Sequence, residues 1–395
     1  MRQSVNRKSK NRMILLSLAS KQIWPHVLSV AHLKPERVFL LHSEEASESK
    51  DPAQRLKRFF DDAEPRLLPQ GAARLESIPH DDSTAIERLL DTLPSKQQHS
   101  LGDCVLNFTG GNKLMATAAF RWAAKRSVRA FYLERSNQIT WFEPRDGDME
   151  TSSERLDASL TNKLDSAALL SCQFGDEVVQ SSGERLTLNE KGRNAAPQDL
   201  AAKLQGETRL DRNAFDFRKW LTIEDPSPRE PNEGDNLEYG TACALLKAGV
   251  PAIRRGVELS TLPNSTNTEA ELDLVFNWNG RLWVVDCKDR VGGDAKVESL
   301  KTLLLGDGCC NRQTEVVLKS ITEDLKDRDI KILREDLLQI SEVGGLLGCA
   351  LAVRSSKPPQ QAIEFAASRH PRVEVLLKAD LVKRLPAILA GRRPR

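Results

Sequence analysis

Glu271-Leu272-Asp273-Leu274-Val275-Phe276, then Asn279-Gly280, then Val284-Val285-Asp286-Cys287-Lys288 is the stretch of this 395-residue chain that decides how its second half folds. Asn-Gly between two apolar runs is a strong hairpin signal, because a tight turn matching strand twist needs positive φ at both central residues. The two runs are therefore expected to pair antiparallel. Alternation along the second strand puts Asp286 and Lys288 on one face and Val285 and Cys287 on the other. An acid on one strand and acid-x-Lys on the next can bind a divalent cation beside a general base or charge stabiliser. The competing reading is a solvated strand face, where a cross-strand Asp and Lys pair contributes at most about 1 kcal/mol. Trp283, Val284 and Val285 favour a buried strand whose polar end opens into a cleft. A further acid, Glu238, falls on a predicted helix that runs from Asp235 as N-cap to Gly249 as C′ residue.

Glu238 on a helix, Asp273 on a strand and Asp286-Cys287-Lys288 on the next resemble the core of PD-(D/E)xK nucleases, with Leu272 standing where the motif has proline. The resemblance implies that Asp273 and Asp286 hold Mg²⁺ or Mn²⁺, that Glu238 supports metal or water from behind, and that Lys288 orients the attacking water. Hard cations prefer carboxylate oxygens and lower the pKa of a bound water well below the roughly 15.7 of bulk. An ammonium helps to neutralise charge that develops on the phosphorane oxygens.

The chain is long enough for two or three domains. Its net charge of +2, from 58 basic and 56 acidic residues, excludes a uniformly basic nucleic-acid binder. Any nucleic-acid contact is then local, in a groove involving Arg254, Arg255, Arg290 and Lys296, unless these four are solvated surface. Seven cysteines form no C-x-x-C and pair with no His at ligand spacing, so they read as reduced, cytoplasmic thiols; adjacent Cys309 and Cys310 read as neighbouring thiols. The six histidines make no zinc-ligand pattern. The apolar run after Met13 is broken by Ser17, Ser20 and Lys21, too short for a signal segment or a membrane span.

Residues 1–12 read as a basic, disordered tail. From 13 to 148 short apolar strands alternate with helical patterns: strands at 13–18, 37–41, 74–78, 104–108, 128–133 and 139–142, helices at 23–33, 52–60, 83–93 and 112–125. Repeated βα units imply a mostly parallel sheet covered on both faces, a Rossmann-like domain. Residues 149–231 read as a helical connector, with helices at 157–170 and 198–204, ending in the proline-rich linker Asp225–Asn232. Residues 232–395 form a second α/β domain with a mixed sheet, whose later strands fall at 347–353 and 373–377.

Asn107-Phe108-Thr109-Gly110-Gly111-Asn112-Lys113-Leu114-Met115 lies where a strand ends and a helix begins. Paired glycines there let backbone N–H groups approach an anion, and the helix N-terminus adds about half a positive charge. No P-loop or Gly-x-Gly-x-x-Gly matches. An ordinary tight turn is the competing reading, but ligands of open α/β sheets bind at the carboxyl ends of strands near the topological switch point, beside the loop Ser17 to Gln22.

This loop resembles the signature of CARF domains, the Rossmann-like sensors of cyclic oligoadenylate in type III CRISPR defence, with Asn112 where threonine is usual. The resemblance implies a homodimer with the ligand, cyclic tetra-adenylate, held by Ser17, Ala19, Ser20, Gln22, Asn107, Thr109, Gly110, Gly111, Asn112, Lys113 and Met115. A CARF domain followed by a restriction-endonuclease-like domain implies a ligand-activated endonuclease acting on DNA, RNA or both, in the cytoplasm and without a membrane anchor. Three alternatives stay open. The chain is a CARF sensor or regulator that binds nucleic acid without cleaving it, a sensor that degrades its own ligand through Lys113 or Ser20, or a restriction or repair nuclease with a different nucleotide ligand.

Overall fold

The computed structural model describes residues 13–96, 99–134, 137–145, 148–205, 210–228, 232, 234–260, 269–289, 348–358, 360–368 and 373–391, with isolated residues between 316 and 343. The basic tail, Arg290, Lys296, Cys309 and Cys310 lie outside them. The chain divides into two compact units, Met1–Glu177 and Val178–Arg395.

In the first unit, β1 (Ile14–Leu18), α1 (Trp24–Leu33), β2 (Arg37–His42), α2 (Asp51–Asp62), β3 (Ala73–Ser77), α3 (Ser83–Lys96), β4 (Cys104–Asn107), α4 (Lys113–Lys125) and β5 (Arg129–Leu133) follow the expected alternation. β6 (Gln138–Arg145), β7 (Asp148–Arg155) and α5 (Ser166–Phe174) complete it. The described strands form one sheet in the order β3-β2-β1-β4-β5-β6-β7. The first five are parallel and the last two antiparallel. β1 is buried along its whole length, as a central strand covered on both faces must be. Leu16, Leu18, Phe39, Leu106 and Trp122 meet in the core on the α3/α4 side, where each buried side chain contributes roughly 1.5–3 kcal/mol. Trp122 keeps its indole N–H satisfied by Asp91 Oδ1 at 2.9 Å. Chain order reverses at β1, whose two neighbours are β2 and β4, so the carboxyl ends of β1 and β4 adjoin at the switch point.

Two local expectations fail here for identifiable reasons. β7 is an exposed edge strand of mostly polar residues and carries no alternation to betray it. The helix expected over 157–170 instead begins at Ser166, because Asp165 accepts the Ala167 N–H at 2.9 Å and caps it there.

The second unit holds β8 (Val179–Ser181), β9 (Glu184–Leu188), α6 (Glu190–Asn194), α7 (Pro197–Leu204), β10 (Leu221–Glu224), α8 (Asp235–Lys247) and β11 (Ile253–Ser260). After them come β12 (Glu269–Trp278), β13 (Arg281–Lys288), β14 (Cys349–Arg354), α9 (Gln360–Ser368), β15 (Val373–Leu377) and α10 (Leu381–Leu389). Their sheet runs β10-β9-β11-β12-β13-β14-β15, with β8 also on β11. β12 and β13 are the expected antiparallel hairpin, and Asn279 and Gly280 turn it with φ of 50° and 69°. β13, β14 and β15 are parallel, which makes the sheet mixed. Residues 149–231 are shared between the units: β7 and α5 belong to the first, β8 to β10 join the sheet of the second.

Helix α8 is buried almost all round. Asp235 is its first residue rather than its cap, and its side chain points instead at an arginine on β11. Gly249, with φ 108°, follows the C-cap Ala248 as expected. Phe276 and Trp283 stack across the hairpin with centroids 5.8 Å apart, and Val285 and Cys287 face the same core. Among the described residues no helix is long and apolar enough to cross a membrane.

Candidate functional site

Asp273 stands on β12, and Asp286 and Lys288 stand at the end of β13. The Lys288 ammonium lies 2.6 Å from Asp286 Oδ1 and 3.6 Å from Asp273 Oδ2, so it bridges the two acids. Asp273 Oδ2 also accepts the Cys287 N–H at 2.6 Å, which orients the carboxylate from the neighbouring strand. On the other side, parallel register sets Arg354 of β14 beside Lys288. Its Nη1 lies 2.5 Å from Asp286 Oδ2 and donates to the carbonyls of Asp286, at 3.1 Å, and Val353, at 3.0 Å. Sequence reading missed Arg354. Its signal was an apolar strand, Ala350 to Val353, ending in a charge, as Val284-Val285-Asp286 does.

Burial alone would raise Asp286, but the Arg354 guanidinium and the Lys288 ammonium hold it below the ordinary carboxylate range. Asp273 goes the other way. Burial, with the Asp286 charge behind it, pushes Asp273 up to about 6 against the pull of Lys288. Glu238, on α8, is pushed up to about 8 by burial and then by the charge on Asp273. The helix acid and the hairpin acids are thus close enough to feel one another. The site carries one firmly ionised carboxylate and two that titrate near neutrality.

The donor set fits a hard divalent cation. One ammonium already satisfies both Asp273 and Asp286, so a cation placed between them is compensated by both. Mg²⁺ in particular takes one or two carboxylates and keeps several waters. Among the described residues no ready-made group of three or more acidic, His or Cys ligands occurs, so water would supply the rest.

Glu238 is also held from behind. Arg255 on β11 donates from Nε to Glu238 Oε2 at 2.7 Å and from Nη1 to Glu184 Oε2 at 3.0 Å, and its Nη2 lies 3.0 Å from Asp235 Oδ1. The guanidinium carbon sits 4.4 Å from the centre of the Tyr239 ring. This corrects the basic-groove expectation. Arg255 is only 4% exposed and faces acids rather than solvent. Arg254 is buried too, bonded to Gly183 O at 3.0 Å and Asp225 Oδ2 at 3.1 Å.

In the first unit the two loops at the switch point are fastened together. Gly111 N–H donates to Ala19 O at 3.2 Å, and a Cβ at Gly110 would lie 2.0 Å from Leu18 O. Gly111 has φ 74°, which disfavours other residues. Beneath the loops runs a buried polar network. Asn107 Nδ2 donates to Ser17 Oγ at 3.1 Å and Ser29 Oγ at 3.3 Å, and Ser17 Oγ is 2.8 Å from His26 Nδ1. Burial pushes His26 down to about 4, so it is neutral. Asn107 Oδ1 accepts the Thr109 N–H at 3.0 Å, and the Thr109 hydroxyl accepts the Leu133 N–H at 2.8 Å. Asn112 caps α4 through the Met115 N–H at 2.8 Å. Gln173 of α5 holds the other loop, donating to Lys21 O at 2.8 Å and accepting the Ile23 N–H at 3.2 Å.

The expected ligand residues therefore divide by depth. Ser17, Ala19, Asn107, Gly110 and Met115 are buried and shape the floor. Ser20, Gln22, Thr109 and Gly111 are half-buried, and Asn112 and Lys113 are exposed at the helix N-terminus. The floor is tied together by hydrogen bonds among Ser17, His26, Ser29 and Asn107, and its rim offers backbone N–H groups, amides and the Lys113 ammonium.

No protein-family model and no curated protein matches the chain. Solved structures do. Can2 from Sulfobacillus thermosulfidooxidans, in complex with cyclic tetra-adenylate, matches with a TM-score of 0.56 at 16% identity over 96% of this chain and 97% of that one. Protein VC1899 from Vibrio cholerae gives 0.55 at 13% identity over 97% and 98%. A type III CRISPR defence DNA nuclease activated by cyclic oligoadenylate gives 0.51 at 19% identity over 91% of this chain and 47% of its own. The chain thus shares its fold, a largely parallel sheet followed by a mixed one, with Can2 and VC1899 over nearly their whole length.

Proposed function

We propose that this chain is a metal-dependent endonuclease that cleaves phosphodiester bonds of DNA, RNA or both, and that cyclic oligoadenylate, specifically cyclic tetra-adenylate, switches it on in type III CRISPR defence. The observation that carries the nuclease reading is the Lys288 ammonium bridging Asp273 and Asp286 at the end of a buried hairpin. Asp273 and Asp286 would hold Mg²⁺ or Mn²⁺, which when bound supplies a water of lowered pKa. Asp286 enters ionised because Arg354 holds it so. Glu238, pushed up to about 8, receives the proton of the attacking water only in its ionised form, so cleavage should rise as pH climbs toward 8. Lys288 offsets negative charge as the water oxygen bonds to phosphorus and the bridging P–O bond breaks.

Activation is supported by the clamped loops of the first unit, whose N–H groups and Lys113 suit a phosphate-rich ring, and by the fold shared with Can2. The active species is a homodimer. A ligand shifts the nuclease only by its differential affinity for two arrangements of the protein.

The test is cleavage of plasmid and single-stranded RNA with Mn²⁺ and cyclic tetra-adenylate by the wild type, Asp286→Ala and Lys288→Ala. Asp286→Ala is expected not to cut, and Lys288→Ala to cut at least about 10²-fold more slowly than the wild type. Cleavage at the wild-type rate in either variant removes the site. Binding of nucleic acid without cleavage by the wild type makes the chain a regulator.

A further inference from the structure

Arg255 is a buried cation that the cleavage step does not use, and it is over-determined. Three carboxylates, Glu184, Asp235 and Glu238, converge on its guanidinium, and the Tyr239 ring covers one face. Planar, always charged and able to bond in several directions at once, arginine is suited to such a hub. Glu184 is itself fixed. The Tyr239 hydroxyl donates to its Oε2 at 2.8 Å and the Ser227 N–H to its Oε1 at 3.0 Å. Gly183, with φ 63°, brings the start of β9 so near that a Cβ there would lie 2.1 Å from Arg255 O. A buried network of this kind is costly unless every member is satisfied, so removing one partner moves the others.

The network has a definite place in the chain. The second unit begins at Val178, and β8 and β9 are its first strands. Both pair with β11: Val178 O accepts the Ser260 N–H at 2.8 Å, Val179 pairs with Leu259, and Glu184 pairs with Arg255. On its other edge β11 pairs with β12, where Arg255 lies opposite Leu274, next to Asp273. One strand therefore separates the entry segment of the unit from its acids.

Resting on the nuclease reading above, we propose that Arg255 is the positioning residue for Glu238 and that Glu184, on the entry strand, holds Arg255 in place. The position of the helix acid is set from the strands by which the chain enters the unit. A change in those strands reaches Glu238 through two ion pairs.

The experiment compares the wild type, Glu184→Gln, Arg255→Lys, Glu238→Gln and the double variant Glu184→Gln/Glu238→Gln. Readouts are cleavage kinetics with Mn²⁺, with and without cyclic tetra-adenylate, thermal melting, activator binding, and Mn²⁺ binding by calorimetry. Glu184→Gln keeps shape but removes the charge. It is expected to lower kcat at least tenfold, with KM and activator affinity within twofold, to shrink the ratio of activated to unactivated rate, and to shift Mn²⁺ affinity by threefold or more. In the Glu238→Gln background the same change should cost less than twofold, because the residue it acts through is already gone. A merely structural Glu184 would lower the melting temperature and cost the same in both backgrounds, and that result overturns the proposal. So does wild-type kcat in Glu184→Gln and Arg255→Lys. A wild type that neither binds Mn²⁺ nor cleaves sinks the nuclease reading itself, and this proposal with it.

Discussion

Gly110→Ala should disable the proposed ligand loop through a single methyl group. The new Cβ would stand 2.0 Å from Leu18 O, a backbone atom at the end of β1, so the two loops must part by about 1 Å or more. Overpacking of this kind costs roughly 1–3 kcal/mol. Parting also strains the Gly111 N–H bond to Ala19 O, whose net value is about 1 kcal/mol. If ligand binding requires the clamped arrangement, a loss of about 2 kcal/mol weakens the affinity for cyclic tetra-adenylate roughly 30-fold. Calorimetry with purified protein and ligand measures this directly. Gly102→Ala is the matched control, because its Cβ meets only Ser100 Oγ at 3.6 Å, an ordinary contact. Wild-type affinity and melting temperature in Gly110→Ala would refute the argument. A lowered melting temperature with unchanged affinity would leave the packing intact but remove these loops from the ligand site.

Three further outcomes follow from the second unit. Lys288→Met should lower kcat by about 10²–10³ while leaving activator affinity unchanged, as measured by single-turnover cleavage and calorimetry. Arg354→Met removes the guanidinium 2.5 Å from Asp286 that keeps this carboxylate ionised against burial, and should weaken Mn²⁺ binding about tenfold in calorimetry, with Arg354→Lys close to wild type. Asp273 near 6 and Glu238 near 8 lie above the roughly 4 of carboxylates in an unfolded chain, so the folded state holds protons the unfolded state has lost. Their contribution to stability is fully present below about pH 4 and is lost as pH rises through 6 and then 8. Thermal melts in chelator should therefore fall from pH 5 to 8, Mn²⁺ should reverse the fall, and Glu238→Gln should flatten its upper part.

The hairpin was legible because Asn279-Gly280 and the alternation around it are local properties, and the turn dihedrals follow from them. The parallel sheet of the first unit was legible for the same reason: β1, β2 and β4, buried almost throughout, read as apolar runs alternating with helices. β7 was not, since an exposed edge strand has no apolar face to alternate. Arg255 and Arg354 were misread or missed because their partners are distant in sequence. Glu184 precedes Arg255 by 71 positions, and Asp286 precedes Arg354 by 68. A charge that reads as surface in one dimension becomes a buried counter-ion once strands pair. Ser17 and Asn107, expected among the ligand residues, are buried beneath the loop, where their bonds to His26 and Ser29 fix its shape.

The most direct test of the whole account is the rate of Mn²⁺-dependent plasmid and RNA cleavage by the wild type as cyclic tetra-adenylate is titrated. The expected result is a rate that rises with ligand and saturates at the ligand's own binding constant, and that moves to higher ligand concentration in Gly110→Ala. A cleavage rate indifferent to the ligand would contradict it.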